Sequence, residues 1–210
     1  LPSMQFLDSK LLIFAKAPVA GLAKTRLAPL LGHEGAADLY ARLLSDTVTK
    51  FSRQADLPVE CWCAPDTDHP LFDAFSREHG IELKVQQGAD LGERMAFAAA
   101  DALVSTDAVV LIGGDCPQLS VNHLRQTLQW LHQGADAVLG PAEDGGYVLL
   151  GLKRFDNALF REIPWGGSRV LELTRQRLDA LGWCWQELDT LWDIDRPEDL
   201  VRYRQLAGTG

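Results

Sequence analysis

Two aspartates near the end of the chain have a spacing that could hold a divalent metal ion, and a third stands at a predicted strand end that a ligand could approach. Asp193 and Asp195 alternate with one apolar residue, so in an extended segment both carboxylates point to the same side. Asp115 follows an apolar run and two glycines, just beyond the carboxyl end of a predicted strand. Converging carboxylates repel one another unless a cation lies between them, and Mg²⁺ and Mn²⁺ prefer oxygen ligands. The alternatives are an Asp115 that only forms a turn before Pro117 and an Asp195 that only caps a helix beginning near Pro197.

Basic residues are concentrated in the segment 16–27, which follows a short apolar run. The segment contains the Lys-Thr pair of a phosphate-binding P-loop, but that motif requires glycines where this chain has Pro18 and Ala23. Proline removes a backbone donor and fixes φ, so the P-loop hypothesis fails. Lys24 and Arg26 still indicate an anion site of another kind, and we expect both side chains to be exposed before a phosphate binds. The alternative is a solvated first turn of a helix.

Two adjacent acids, Glu143 and Asp144, stand before a Gly-Gly pair and Tyr147. An Asp-Gly pair is a common hairpin signal, so this segment is either an ordinary reverse turn or part of a ligand site.

Six apolar runs predict the strands that position these loops. The runs are mostly continuous, which is typical of strands covered on both faces, and they span residues 11–15, 59–63, 81–85, 108–113, 135–140 and 147–152. Apolar residues recur at helical spacing within 37–51, 121–131 and 171–181. This alternation predicts a single-domain, three-layer α/β/α fold with a mostly parallel sheet. The Gly-Gly turn before the last run adds some antiparallel pairing, so the sheet should be mixed.

Several residues predict where the helices begin and end. We expect Ser120 and Ser168 to be N-caps, and Gly80, Gly134 and Gly182 to follow helix C-termini.

The composition indicates an acidic, soluble protein. Lys and Arg number 20 against 29 Asp and Glu, a net charge of −9, which argues against general binding to nucleic acid or anionic membranes. No apolar segment reaches about 18 residues and no signal-peptide pattern is visible, so we expect a cytoplasmic protein. Residues 4–206 should form one domain, with Leu1–Ser3 interpreted as a remnant of expression. The four cysteines contain no CxxC pair and should be free thiols.

These segments, together with 87–95, resemble the nucleotide-diphospho-sugar transferase superfamily with its GT-A fold. The resemblance is strongest to a bacterial family of small proteins described as glycosyltransferases, some of them linked to arsenosugar biosynthesis. Its pattern is approximately K-x-P-x-x-G-x-x-K-T-R-L, Q-x-x-G-D-L-G-x-R-M, G-[TS]-D-x-P, D-G-G-Y and D-[VI]-D-x-P-E-D-L, which this chain matches from about residue 10 to 204. The chain departs at Ala89 and at Gly114, which replaces a Thr or Ser near the expected metal.

The resemblance implies roles for individual residues. It implies nucleotide contacts from Ala15, Lys16, Gly21, Lys24, Arg26, Gly88, Gly92 and Arg94. It implies Mg²⁺ or Mn²⁺ bound by Asp115 and by one or both of Asp193 and Asp195. It implies a sugar or acceptor side formed by Glu143, Asp144, Gly145, Tyr147, Trp165, Gly166 and Ser168.

Two reactions are compatible with the resemblance. In the leading hypothesis an acceptor hydroxyl attacks the sugar of a nucleotide-diphospho-sugar, with Glu143 or Asp144 as the catalytic base. In the alternative, a nucleotidyltransferase similar to phospholactate guanylyltransferase releases pyrophosphate from a nucleoside triphosphate. A non-catalytic nucleotide-binding module is less favoured because all three candidate metal aspartates are present. The partners would be a nucleotide and a small acceptor, and a homo-oligomer is compatible with the sequence.

Overall fold

The computed structural model describes residues 8–207, with side chains described as far as residue 205. The segment Leu1–Ser3 and the expected beginning of the domain at residue 4 lie outside the described residues. Within the described part, seven strands form one sheet. They are β1 (Ser9–Lys16), β2 (Val59–Ala64), β3 (Glu82–Val85), β4 (Ala108–Gly113), β5 (Ala137–Pro141), β6 (Tyr147–Leu152) and β7 (Trp185–Glu187).

Helices cover both faces of this sheet. They are α1 (Ala28–Gln54), α2 (Pro70–His79), α3 (Leu91–Leu103), α4 (Val121–His132), α5 (Val170–Ala180) and α6 (Pro197–Ala207). The apolar faces of α1, α2 and α4 pack on one side of the sheet, whereas α3 and α5 pack on the other. A third cluster joins the beginning of α1 to α6. None of the described helices is long and apolar enough to cross a membrane.

The strand order explains where a site can form. The order is β3-β2-β1-β4-β6-β5-β7, in which β6 is antiparallel to β4 and β5 while the other neighbours are parallel. This confirms the predicted three-layer α/β fold with a mostly parallel mixed sheet. The chain moves from β1 outward to β2 and β3 and then returns to β4, so the strand order reverses between β1 and β4. Open α/β sheets bind ligands beyond the carboxyl ends of the strands at such a point.

The predicted helix ends are confirmed except at one position. Ser120 caps α4 by a capping box with His123, and all three predicted glycines have positive φ. The prediction for Ser168 is wrong, because α5 begins at Val170 and its N-cap is Arg169, which makes no side-chain capping bond. The backbone of Ser168 lies instead against Gly145.

Three elements were not assigned from the sequence. Strand β7 has only three partly exposed residues at the sheet edge, too few for an apolar run. Helix α2 was implied only by Gly80, the glycine at its C-terminal end. Helix α3 was missed because its buried face consists largely of alanine, which differs little in hydrophobicity from the exposed face.

Gly114, where the family pattern has Thr or Ser, packs directly against α1. A Cβ atom built on Gly114 would lie 2.5 Å from Cδ1 of Leu44, a fully buried side chain. The hydroxyl of Thr47 approaches the carbonyl oxygen of Gly114 at 3.4 Å from the same helix. Leu44 therefore occupies the volume that a larger residue at 114 would need.

We expect Gly114→Ser to lower the free energy of unfolding by about 1–3 kcal/mol, because overpacking displaces Leu44. Leu44→Ala alone should cost about 2–5 kcal/mol through the cavity that it leaves. The double variant should cost less than the sum, since the serine fills part of that cavity. Urea unfolding of the four proteins checks this, and strictly additive costs would show that the two residues do not compete for space.

Candidate nucleotide and metal site

Lys24 lies between two of the three aspartates at the carboxyl ends of β1 and β4. Its Nζ atom is 2.6 Å from Oδ2 of Asp115 and 3.7 Å from Oδ1 of Asp195. Arg26 forms a further ion pair with Oδ2 of Asp195. These four residues are called the ion cluster below. It joins the loop after β1, the end of β4 and the segment before α6.

The two basic residues of the ion cluster differ in burial. The side chain of Lys24 is 7% exposed, whereas that of Arg26 is 59% exposed. Burial alone lowers the pKa of Lys24, but its charge interaction and hydrogen bond with Asp115, with smaller contributions from Asp195 and Asp193, raise it above the ordinary value. Lys24 is therefore a buried cation at neutral pH. The expectation that both side chains are exposed is wrong for Lys24, because its carboxylate partners hold it inside the site.

Asp193 lies beside the ion cluster. Burial and the negative charge of Asp115, offset in part by Lys24, raise the pKa of Asp193 to about 6. Ile194 is fully buried, and the carboxylates on either side of it line the same cleft. Asp193 and Asp195 therefore lie on the same side of the segment, as expected from their alternation with the apolar Ile194.

The segment 192–195 is held against the end of β4 by two hydrogen bonds. The backbone N–H of Ile194 donates to the carbonyl oxygen of Asp115 at 3.1 Å, and the thiol of Cys116 donates to that of Trp192 at 3.3 Å. Burial raises the pKa of Cys116 to about 12, so this residue is a neutral donor and not a nucleophile. All four cysteines are free thiols, as expected.

The loop after β1 is shaped by its backbone. The N–H of Lys16 donates to the hydroxyl of the buried Tyr40 at 3.0 Å, and Nζ of Lys16 donates to the carbonyl of Leu22 at 3.0 Å. Gly21 has a φ of 80° and Lys24 a φ of 49°. The left-handed conformation costs a residue with a side chain about 1–2 kcal/mol, so the buried ion pairs of Lys24 must offset this strain.

The loop between β3 and α3 is closed by contacts within itself. Gly88 has a φ of 140°, and a Cβ atom there would lie 2.6 Å from Cβ of Glu93, so a glycine is required. Nε of Arg94 donates to the carbonyl oxygen of Gly88 at 3.0 Å, and Asp90 caps α3 by accepting from the N–H of Glu93 at 2.8 Å. Arg94 thus orders the loop backbone, and its predicted nucleotide contact stays a prediction.

Gly92 and Trp165 join this loop to the predicted acceptor side. A Cβ atom on Gly92 would lie 2.3 Å from Nε1 of Trp165 and 2.6 Å from the carbonyl oxygen of Phe160. Tyr147 packs edge to face on Trp165, with ring centroids 6.4 Å apart. The indole ring is therefore held between α3 and Tyr147, and Gly92 permits this close approach.

The turn before β6 is held from both sides. The N–H of Glu143 donates to the carbonyl oxygen of Leu191 at 2.9 Å, and the carbonyl oxygen of Gly145 accepts from the N–H of Leu171 at 2.8 Å. Gly145 has a φ of 89°, and a Cβ atom there would lie 2.0 Å from the carbonyl oxygen of Ser168. The turn is thus built into the surrounding loops and is not an isolated hairpin turn.

The two acids of this turn have different surroundings. Oε2 of Glu143 forms an ion pair with Nη1 of Arg202 at 2.8 Å. Oδ1 of Asp144 accepts from the N–H of Gly146 at 2.9 Å, and its negative charge contributes to the raised pKa of Asp193. Asp144 is therefore electrostatically coupled to Asp193, whereas Glu143 is paired with an arginine.

Two clefts open beside the ion cluster. The acidic cleft, of about 340 Å³, is lined by Arg26, Glu143, Asp144, Gly166, Ser168, Trp192, Asp193, Asp195, Arg196 and Asp199. The apolar cleft, of about 170 Å³, is lined by Leu91, Met95, Ala142, Asp144, Gly146, Tyr147, Val148, Trp165, Gly166, Gly167, Val170 and Asp193. The structure therefore brings most predicted metal and acceptor residues together. Neither cleft includes the predicted nucleotide residues Ala15, Lys16, Gly21, Lys24, Gly88, Gly92 and Arg94.

Gln86 positions the site but received no role from the sequence. Its Nε2 atom donates to the carbonyl oxygens of Ala15, at 3.1 Å, and Trp62, at 2.8 Å, and so ties together the ends of β1 and β2. The available signal was its place directly after β3, at the beginning of the glycine motif. Tyr40 and Arg202 were missed because their polar partners are distant in sequence.

The alternative in which Asp195 only caps α6 does not hold. Oδ2 of Asp199 accepts from the N–H groups of Asp195, at 3.1 Å, and Arg196, at 2.8 Å. The carboxylate of Asp195 instead faces Arg26 and Lys24, so it belongs to the ion cluster.

The acidic residues supply the oxygen ligands that a divalent cation prefers. Asp115 and Asp195 already face one cationic group, and Asp193 adds a third carboxylate nearby. Among the side chains described, no three His, Cys, Asp or Glu residues converge closely enough to hold a metal by themselves. Mg²⁺ often uses one or two carboxylates together with substrate phosphates. The residues therefore fit an ion shared with a phosphorylated substrate.

Comparison with solved structures defines the class of fold. A 4-diphosphocytidyl-2C-methyl-D-erythritol synthase from Anaerococcus prevotii DSM 20548 is 12% identical, with a TM-score of 0.61 over 94% of this chain and 96% of that chain. Glucosyl-3-phosphoglycerate synthase from Mycobacterium tuberculosis, solved with Mn²⁺, UDP and glucosyl-3-phosphoglycerate, is 13% identical, with a TM-score of 0.58 over 93% of this chain and 75% of that chain. The fold is thus the GT-A-like fold shared by nucleotidyltransferases and glycosyltransferases.

A more similar structure and a family model identify the family. A protein from Desulfovibrio desulfuricans G20, described provisionally as a nucleotide-diphospho-sugar transferase, is 32% identical, with a TM-score of 0.82 over 90% of this chain and 83% of that chain. The family model described as "Uncharacterized protein conserved in bacteria (DUF2064)" matches residues 47–167, more than half of the chain. The chain therefore belongs to the DUF2064 family. No curated protein matches the sequence.

The raised pKa of Asp193 predicts a pH dependence of stability. The folded protein holds this proton more tightly than the unfolded chain, so the contribution is present below about pH 4 and is lost as the pH rises to about 6. Relative to Asp193→Asn, the wild-type free energy of unfolding should fall by about 1–2 kcal/mol over this range, after allowance for partial exposure. Urea unfolding in EDTA at several pH values checks this, and a constant difference would contradict it.

Proposed function

We propose that this protein is a metal-dependent glycosyltransferase that moves a sugar from a nucleotide-diphospho-sugar to a hydroxyl group of a small acceptor. Support comes from the provisional description of the 32% identical relative and from the Mn²⁺ and UDP in the glucosyltransferase neighbour. Mg²⁺ or Mn²⁺ would bind to Asp115, Asp193 and Asp195. The cytoplasmic location, a homo-oligomer and the link to arsenosugar biosynthesis stay predictions.

The observation that carries this proposal is the set of carboxylates in the acidic cleft. The cleft is lined by five carboxylates and two arginines. With Asp193 and Asp195 on the metal ion and Glu143 paired with Arg202, Asp144 is left on the acceptor side of the cleft. Its carboxylate can accept the proton that a hydroxyl acceptor must lose, whereas a phosphate that attacks a nucleoside triphosphate needs no such base. The adjoining apolar cleft offers Trp165 and Tyr147 as a wall for a sugar ring or the body of a small acceptor.

The residues of the chain suit the separate parts of this reaction. The bond between the sugar and the diphosphate breaks, and a bond forms between the sugar and the acceptor oxygen. A bound metal ion would neutralise charge on the departing nucleoside diphosphate. Lys24, once it leaves its carboxylate partners, and the exposed Arg26 would donate charge-assisted hydrogen bonds to its phosphates.

Asp144 is the better candidate for the base. It lines both clefts and forms no ion pair of the kind that joins Glu143 to Arg202. A carboxylate between the apolar wall and the metal aspartates can accept the acceptor proton while the hydroxyl attacks. Glu143 would instead hold α6 against the turn.

Nucleotidyl transfer remains the second candidate, and one observation favours it. The basic loop after β1 can bind the phosphates of a nucleoside triphosphate, and the fold is shared with a cytidylyl-transferring synthase. The two reactions differ in their small product.

The product assay decides between these candidates. We expect nucleoside diphosphate to form from a panel of nucleotide sugars with Mn²⁺ and a mixture of small polyols, and EDTA to abolish the reaction. Coupled assays for nucleoside diphosphate and for pyrophosphate would be run in parallel. Metal-dependent pyrophosphate release from a triphosphate, without turnover of any nucleotide sugar, would overturn the proposal.

The two acids of the turn provide a matched pair of variants. Asp144→Asn should lower kcat by about 10²–10⁴-fold, because a lost base acts mainly in the transition state, while donor affinity stays nearly unchanged. Glu143→Gln should lower kcat far less, since Glu143 contacts Arg202. Steady-state kinetics and calorimetry of donor binding would measure both effects, and equal losses of kcat would remove the special role of Asp144.

A further inference from the structure

Lys24 occupies an unusual place for a residue expected to meet phosphates. Its side chain does not extend toward solvent but lies buried with Nζ between the carboxylates of Asp115 and Asp195. These are two of the three carboxylates proposed to bind the metal. One cationic group of the chain thus already uses the oxygens that a metal ion would use.

We propose that Lys24 and the divalent cation compete for Asp115 and Asp195, so that the ion binds well only together with a nucleotide that draws Lys24 away. This inference rests on the proposed metal dependence but not on which group is transferred. The substrate would then be a complex of the metal ion with the nucleotide. A protein that had already bound the ion would not be the form that binds free nucleotide.

The distances make the competition direct. Oδ2 of Asp115 is 2.6 Å from Nζ of Lys24, and a divalent ion would have to approach the carboxylate oxygens at about 2.0–2.6 Å. Two cations on the same oxygen repel strongly at this separation, above all where water is largely excluded. The lysine must therefore leave Oδ2 of Asp115 and Oδ1 of Asp195 before the ion can coordinate these oxygens.

The backbone of Lys24 indicates that a second position is accessible. Among the described residues, only Lys24 and Glu162 combine a side chain with positive φ. The strain at Lys24 is offset by its buried ion pairs, so releasing those pairs also removes the reason for the left-handed conformation. The flexible four-carbon stem can then carry the ammonium group to an arriving diphosphate.

The competition couples two binding events. A nucleotide that provides phosphate oxygens for Lys24 frees the two carboxylates, and the ion in turn frees Lys24 for the phosphates. By linkage each partner should raise the affinity for the other by the same factor, commonly about 5–150-fold. Free metal ions below saturation would leave Lys24 largely in place, whereas a saturating concentration would displace it without help from a nucleotide.

The test is a titration of nucleotide-free protein with Mn²⁺, followed by the electron paramagnetic resonance signal of the unbound ion. Lys24→Met should bind Mn²⁺ about tenfold more tightly than wild type, because the competing cation is gone. Arg26→Met is the matched control, since it also removes a positive charge from Asp195 but from an exposed side chain. The affinity of this control should stay within about threefold of wild type.

The possible outcomes separate the inference from the proposed function. Equal affinities of wild type and Lys24→Met, or equal gains in both variants, would overturn the competition and leave the metal site intact. Failure of every form to take up Mn²⁺, even with a mixture of nucleoside diphosphates, would overturn the metal dependence as well. Neither result depends on the product assay, which tests glycosyl transfer alone.

A second measurement on the wild-type protein covers the case in which Lys24→Met does not fold. Acetylation of lysines, followed by mass spectrometry, reports how accessible Nζ of Lys24 is. Saturating Mg²⁺ without nucleotide should increase the modification rate of Lys24 at least about threefold over NaCl of equal ionic strength, while Lys153 serves as the internal reference. An unchanged ratio of the two rates would contradict the competition.

Discussion

The buried ion pair between Lys24 and Asp115 constrains the rest of the site. A lysine side chain that is 7% exposed needs a carboxylate partner, because an unpaired charge in this environment would cost several kcal/mol. Asp115 is fixed by the end of β4, so the loop after β1 must fold over the gap between β1 and β4. Asp195 shares the same ammonium group, which draws the segment before α6 to this edge. One buried cation thereby assembles three segments that are distant in sequence.

The loops around this cluster are held by backbone contacts rather than by side-chain charges. Gly145 approaches Ser168 more closely than any other residue type could, and Gly92 does the same with Trp165. Gln86 fastens the ends of two parallel strands through their carbonyl oxygens. Such contacts position polar groups accurately without placing more charge in the site, which matters where several carboxylates already converge.

The sequence predicted which loops lie at the carboxyl edge of the sheet, but it did not predict the contacts that their side chains make there. The apolar run before Asp115 placed this residue at the carboxyl edge of a parallel sheet, and the alternation of Asp193 and Asp195 with Ile194 predicted two carboxylates on one side. These two patterns were enough to predict that the loops meet. The burial of Lys24 could not be predicted, because its partner is 91 residues away and exposure depends on how the loops close. Helix α3 was missed because its buried alanines give little hydrophobic contrast between its two faces. Ser168 is not the N-cap of α5 because the helix begins at Val170, and the backbone of Ser168 packs instead against Gly145.

The charge balance of the ion cluster explains how one fold can support either proposed reaction. Lys24 and Arg26 nearly balance Asp115 and Asp195, so the cluster as it stands has little excess positive charge for a diphosphate. Replacing Lys24 by a divalent ion, and moving the ammonium group to the phosphates, adds two positive charges where negative charge develops on the leaving group. This gain is the same for a departing nucleoside diphosphate or pyrophosphate. The acceptor side must therefore decide the reaction, and there the carboxylate of Asp144, which lines both clefts, favours attack by a hydroxyl group that has a proton to lose.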